Sequence, residues 1–412
     1  MTYLCENRKM KPERFIFAAW FVCVVALVTA AFCKTVPELA MTQGFLLGLS
    51  CLLIEMPSLI ILNSWFVKRR GFAYGIIFSF ADIWGAMWGY LARYTLGLHG
   101  LRFTMLIFAA CAVVVPGLFI WSFRSRPLAP DARQDAMSTL SEDIGTGMVV
   151  FTSKRRPFYR RPLFYIFLFT TCFQSFAYYI PSIYLPTYNM QVLSRIIDCT
   201  SENTNLLAVF NLAQIPGEFL FGWASDRFDV HLLSLVSSLV AGLVTFLLWA
   251  GLAGGASATL PALMSFAAIF GAFGAGFLTL WGRMSMSFEA SEAGMVYSVL
   301  SLVRGISTFA SGPISSALLV WGTSLRGLVE EDEGRRGMNS RYVVLIWFVG
   351  ACMIVAAVVA GMGWVAERMD GVKKEASEDG KTNGCIVEKD TMLEHEAIED
   401  EKKTVFVRVE EI

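Results

Sequence analysis

Apolar residues in this chain run in stretches of roughly 18 to 25 positions, separated by short polar or charged turns. A run of that length matches the hydrocarbon thickness of a bilayer, so the pattern predicts about ten spanning helices. The first five lie near 14–33, 39–64, 71–96, 101–123 and 161–189. The other five lie near 204–224, 231–253, 259–281, 293–321 and 341–365. The expected fold is therefore all-α, a polytopic membrane helix bundle.

Cations break the pattern at intervals that set an orientation. Lys68, Arg69 and Arg70 stand between two apolar runs and belong at a membrane surface. The excess of Lys and Arg in cytoplasmic loops places that surface inside the cell. Arg8, Lys9, Lys11 and Arg14 fall on the same side, as do Arg124, Arg126, Lys154, Arg155, Arg156, Arg160 and Arg161. The opposite loops, at Lys34 to Glu38, around His99 and at Gly254 to Ser257, are short and nearly uncharged. An even number of helices then leaves both termini cytoplasmic, and the expected location is the plasma membrane.

Five segments follow from the same reading: a cytoplasmic N-terminus over 1–13, four helices over 14–124, a solvated linker over 125–160, six helices over 161–369 and a tail over 370–412. The linker holds Pro, Asp, Ser and Gly with no sustained apolar period. The tail switches to Glu, Asp and Lys with few aromatics, the composition of a disordered segment.

Composition agrees with a lipid solvent. Of 412 residues, 55% are hydrophobic and 17% charged, and the formal net charge is +0, which gives no reason to expect nucleic acid as a partner. Cys23, Cys51, Cys111, Cys172 and Cys352 sit inside apolar runs without a Cys-x-x-Cys pair and read as small hydrophobes. The sequence lacks a phosphate-cradling Gly-rich loop followed by Lys and Ser or Thr. The three histidines, His99, His231 and His395, are widely separated and form no metal motif. No catalytic residue, metal or cofactor is expected, and the chain does not read as an enzyme. Gly271, Gly274 and Gly276 form a small-residue packing face.

Two motif groups carry a family resemblance. Trp65, Phe66, Arg69, Arg70, Ala73 and Gly75 occupy the places of the tight cytoplasmic turn after the fourth helix in the monocarboxylate-transporter-like branch of the major facilitator superfamily. Ile180, Pro181, Tyr184, Leu185, Pro186, Thr187 and Tyr188 resemble the end of the seventh helix in its fungal-type members. Asn211, Gly217, Gly222, Asp226 and Arg227 have the spacing of the eighth helix and its following turn, and Gly305, Gly312, Pro313 and Ile314 resemble the eleventh. Phe32, Cys33, Thr35, Val36 and Leu39 resemble the end of the third helix, so the resemblance implies that the family's first two helices have no counterpart here. It further implies alternating access about a mid-membrane site, a small organic solute of the monocarboxylate kind, and coupling to a proton that travels with the solute, as symport, or against it.

Within this frame the candidate residues divide by chemistry. Glu55, Asp82, Asn211, Glu218 and Arg304 are polar groups inside apolar runs, the default positions of a substrate path or proton relay. For Glu55 and Asp82 the competing reading is local pairing that fixes helix packing. Lys68, Arg69, Arg70, Asp226 and Arg227 are assigned to gating turns, with a static surface pair as the alternative for the last two. Gly217, Gly222 and Gly312 are assigned to close packing, and Pro181, Pro186 and Pro313 to kinks, although Pro186 could simply end its helix. Glu218 departs from the family, which places an arginine there as the partner of a carboxylate solute. That departure weakens the monocarboxylate reading and keeps export of another small organic metabolite as an alternative, while the two helices without a counterpart keep open a transport-incompetent membrane protein, truncated or sensor-like. Glu218 and Arg304 are expected to face one cavity. Phe80 and Trp84, where the family has small residues, predict a looser helix contact around Asp82.

Overall fold

The computed structural model describes residues 12–66, 69–119, 157–193, 200–253, 259–288, 290–326 and 342–369. Lys68, the tail over 370–412, nearly all of the N-terminus over 1–13 and the linker up to 156 lie outside the described residues. All regular structure among the described residues is helical. The physical reason is that hydrocarbon offers backbone amides no partner, so each segment must bond to itself.

Helix α1 spans Pro12–Ala30. A short turn follows, where Thr35 and Glu38 form a reciprocal cap: the Glu38 amide donates to Thr35 Oγ1 at 3.4 Å, and Glu38 Oε2 accepts from the Thr35 amide at 3.3 Å. Helix α2 then runs as Val36–Leu39, a wider π segment Ala40–Leu46, and Leu47–Trp65. The extended backbone of Phe66 ends it.

The next helical stretch, Arg70–Phe119, is 50 residues long. As one rod it would be about 75 Å, more than twice the thickness of a bilayer core. It is instead a hairpin, because the rings of Trp88 and Phe108 lie 4.2 Å apart, whereas 20 residues of straight helix would separate them by about 30 Å. The reversal falls at Gly100, with φ 74° and ψ −179°, a region open essentially to glycine alone. The loop expected around His99 thus shrinks to one residue, joining α3 (70–99) to α4 (101–119). Gly100→Ala should lower stability by about 1–3 kcal/mol, read as a drop in the thermal midpoint of the detergent-solubilised chain. An unchanged midpoint would show that the reversal does not depend on this backbone conformation.

Helix α5 covers Pro162–Tyr188 and continues as a π turn, Asn189–Leu193. Pro186 lies inside α5 and does not end it. Helix α6 is Thr200–Ser225, α7 is Val230–Val244 with a π extension Thr245–Ala253, α8 is Leu260–Met286, and α9 is Ala290–Arg326. The last, α10, is Tyr342–Met369. Among the described residues, eight helical stretches are long and apolar enough to cross a membrane, with Arg70–Phe119 counted as one of them, and α1 contributes a shorter apolar segment, Phe15–Ala30. Two compact units divide within α10, Met1–Ala360 and Gly361–Ile412. In the second, Arg368 lies over the Trp364 ring at 4.5 Å.

The core of the first unit centres on α8. Phe266, Phe270, Phe277 and Leu263 of that helix, with Trp249, Tyr188 and Tyr342 around them, are buried. About 67% of the apolar window of α8 is buried, against 6% for α2. Phe309 and Phe21 are exposed, the arrangement expected of side chains that meet lipid.

Candidate functional site

Helices α3 and α6, one before the linker and one after it, run antiparallel along a seam of small residues. Gly71, Gly75, Ser79, Asp82 and Gly85 recur every three or four positions and share one face of α3. Opposite them stand Gly222, Glu218, Ile215 and Asn211 of α6. A Cβ at Gly75 would lie 2.6 Å from the Glu218 carbonyl oxygen, and one at Gly222 would lie 2.7 Å from that of Gly71. At Gly85 the nearest group, Asn211, would be 3.5 Å away, and at Gly89 nothing lies within 4 Å. The seam is therefore tight at the Arg70 end and widens toward His99. Phe80 and Trp84 do not loosen it, contrary to the sequence expectation, because both are exposed on the other side of α3.

On its other flank α6 is pressed against α8. A Cβ at Gly217 would overlap the Ala272 carbonyl, and one at Gly271 would stand 2.6 Å from the Phe210 carbonyl oxygen. Tyr74 of α3 closes over Gly282 of α8. Gly312, assigned to the same task from sequence, has nothing within 4 Å of its Cβ position among the described residues. Pro313 beside it is exposed, because this face of α9 points away from the packed helices. Pro181 is buried inside α5.

The tight end carries the gate candidates. Asp226 reaches across to the N-terminus of α3, where Oδ1 accepts from the Gly71 amide and Oδ2 from the Phe72 amide, each at 3.0 Å. A carboxylate there satisfies two amides that have no partner within their own helix and meets the positive end of the helix dipole. Arg283 of α8 donates from Nε to the Ser225 carbonyl at 3.1 Å, which ties the end of α6 to the same place. Arg70 donates from Nε to the Phe66 carbonyl at 2.8 Å. Arg227 stacks over Trp223 at 4.1 Å and does not bridge to α3, and Arg69 is exposed.

Polar side chains collect where the seam begins to open. Glu218 of α6 is 1% exposed, and Asp82 of α3 is half-buried on the face of α3 that lines the same seam. Asp82 Oδ2 and Glu218 Oε2 are buried without a hydrogen-bond partner. Asn211 Oδ1 accepts from Gln214 Nε2 at 3.1 Å, and Tyr178 donates to Gln214 Oε1. Arg304 of α9 donates to the Tyr179 hydroxyl and lies over the Trp281 ring at 4.1 Å. It makes no ion pair with Glu218. Glu55 stands at an exposed position of α2.

Sequence reasoning missed Gln214, Tyr178, Tyr179 and Trp281. Gln214 carried a usable signal, since Asn211, Gln214 and Glu218 fall at helical spacing on one face. The aromatic residues carried none, because such residues fill the rest of the chain.

A model of the Major Facilitator Superfamily matches residues 7–194 and 200–405. The chain belongs to the major facilitator superfamily. It is accordingly an integral, multi-pass membrane protein of a family of transporters rather than enzymes. Among its relatives, the MFS-type transporter pynF of Aspergillus niger is 25% identical over 319 residues, covering 76% of this chain and 66% of that protein. Monocarboxylate transporter 12 of Xenopus laevis is 25% identical over 215 residues, covering 49% of this chain and 45% of that one. The chain therefore spans just under two thirds of the first relative's length and less than half of the second's. Among solved structures, a bacterial homologue of the human lysosomal transporter Spinster, inward-facing and occupied, superposes with a TM-score of 0.57 at 17% identity. That match covers 89% of this chain and 84% of the other, and shares the superfamily fold.

Proposed function

We propose that this chain is a secondary active transporter of a small organic solute, working by alternating access and coupled to protons. The observation that carries the reading is the presence of two acids on the α3–α6 seam, Asp82 on α3 and Glu218 on α6, each with a buried oxygen that has no hydrogen-bond partner. Buried acids in a membrane core are costly, and a proton path is the function that justifies them. The Asp226 contact with the start of α3 supports a gate at the tight end, formed when the two groups close there. In this reading the Arg70 end is cytoplasmic, both termini lie in the cytoplasm, and the chain resides in the plasma membrane.

The resemblance to monocarboxylate transporters suggests a carboxylate solute. Glu218 argues against it, because an acid at the centre of the path repels an anion and Arg304 is already engaged by Tyr179 and Trp281. Efflux of another small organic metabolite fits the charge balance better. Counterflow in proteoliposomes loaded with lactate, a neutral organic metabolite or an organic cation distinguishes these solutes. A proton gradient is expected to raise flux of the accepted probe, and Glu218→Gln is expected to return it to the level without a gradient. An unchanged pH profile in that variant would remove Glu218 from the proton path. The sparse burial of α2, at 6%, favours a second reading in which the chain inserts but carries no solute by itself. Absence of flux for every probe would support it.

A further inference from the structure

We propose that a cavity at the turn between α1 and α2 binds one lipid molecule, with its acyl chain in the cavity and a zwitterionic phosphoethanolamine headgroup held between Arg102 and Glu38. The site shares no residue with the α3–α6 seam and does not depend on the transport reading. The cavity has a volume of about 520 Å³, with Thr29, Phe32 and Cys33 on one side and Glu38, Met41 and Thr42 on the other. That volume falls within the range of ligand sites, about 300–1,000 Å³.

The walls suit a hydrocarbon chain. The Thr29 hydroxyl donates to the Val25 carbonyl at 2.8 Å and the Thr42 hydroxyl to the Glu38 carbonyl at 2.9 Å. The Cys33 thiol donates to the Thr29 carbonyl at 3.4 Å. With these donors committed, the surface left to a ligand is mainly the Phe32 ring and Met41, both exposed. An acyl chain gains by covering such a wall, whereas a sugar would leave hydroxyls unmatched there.

Two charges of opposite sign flank this chamber. Arg102, at the start of α4, lies over the Phe32 ring at 4.6 Å. It is exposed and makes no ion pair among the described residues, so the edge of its guanidinium is available to two oxygens of a phosphate. Glu38 Oε2 accepts from the Lys34 amide at 2.9 Å and the Thr35 amide at 3.3 Å. These contacts fix the carboxylate by its own backbone turn and leave Oε1 to receive an ammonium group. The Lys34 side chain makes no ion pair with Glu38 among the described residues and so does not neutralise it. A headgroup with a phosphate and an ammonium answers both charges, whereas a phosphate alone would face an unanswered carboxylate. The α1–α2 turn and the start of α4 stand together at one end of the helices, the level at which headgroups border the hydrocarbon core.

The test uses the full chain in digitonin and follows alkylation of Cys33 by N-ethylmaleimide, resolved from the other cysteines by peptide mass spectrometry. Cys33 is partly exposed and lines the cavity, so an occupant shields it. A single-chain phosphoethanolamine lipid should slow its alkylation about tenfold at about ten times the half-saturating concentration. Cys51, exposed elsewhere on α2, should react at an unchanged rate. Arg102→Gln should raise the half-saturating concentration by about tenfold or more, through loss of a charge-assisted bond. Glu38→Gln keeps an acceptor for the two amides, since glutamine also serves in this cap. It should abolish the preference for phosphoethanolamine over a single-chain lipid that carries phosphate alone. Met41→Trp, which fills the cavity from an exposed position, should remove protection by both lipids. Equal protection by an alkyl maltoside of the same chain length would reduce the site to apolar surface and overturn the proposal. Protection by glycerophosphoethanolamine, which has no chain, would assign the two charges to a soluble ligand and overturn the lipid. Alkylation that the phosphoethanolamine lipid does not slow would also overturn it.

Discussion

Gly217→Ala is expected to destabilise the folded chain by about 3 kcal/mol or more, at the upper end for a substitution that overpacks a core. The added methyl would overlap the backbone carbonyl of Ala272 on α8, and a backbone cannot rotate aside as a long side chain can. Relief requires α6 and α8 to separate, which also disturbs Glu218 one residue away. Gly312→Ala is the informative control, because open space surrounds that position among the described residues. There the methyl should be neutral or stabilising by up to about 1 kcal/mol, since alanine favours helix over glycine. Thermal midpoints of the two detergent-solubilised variants check the pair. Equal midpoints would show that α6 and α8 do not approach each other this closely.

The second large effect is expected at the gate. Asp226→Ala leaves the Gly71 and Phe72 amides without an acceptor from the protein. A hydrogen bond to a charged group contributes about 1.5–3 kcal/mol, and partial exposure of Asp226 places the expected loss near 2 kcal/mol. That corresponds to roughly a thirtyfold faster opening-limited exchange of these two amides. Hydrogen–deuterium exchange of the peptide over 66–75 reads it directly. Asp226→Asn keeps one neutral acceptor and should fall between the native chain and the alanine variant. Native exchange rates in Asp226→Ala would mean that the carboxylate does not hold the start of α3.

Individual residues show what a linear reading could recover. Gly217 and Gly312 look alike in sequence, each inside an apolar run, and only one is pressed against a neighbour. Asp226 stood out as an acid following a helix, but its partners are backbone amides, which every residue other than proline possesses and no side-chain pattern marks. Arg304 was recognisable as costly in hydrocarbon. Its engagement by Trp281 and Tyr179 was not, because both are single aromatics in a chain with 11 Trp and 12 Tyr. Phe80 and Trp84 misled for a related reason: their size was visible, while the face they occupy depends on how α3 is rotated against α6.

The helices were determined along the chain itself. A bilayer core demands about 20 apolar residues and internal hydrogen bonding, two requirements that each segment meets alone. Gly100 completes that local account, since its freedom at positive φ suffices to turn one apolar stretch into two antiparallel helices. Which group Asp226 meets, and at which end the seam is shut, was decided in three dimensions. Those contacts join Asp226 to Gly71 and Ser79 to Ile215, residues more than 130 positions apart, and they follow from the rotation and register of packed helices. Glycine-to-backbone contact sets that register, and it depends on both surfaces at once.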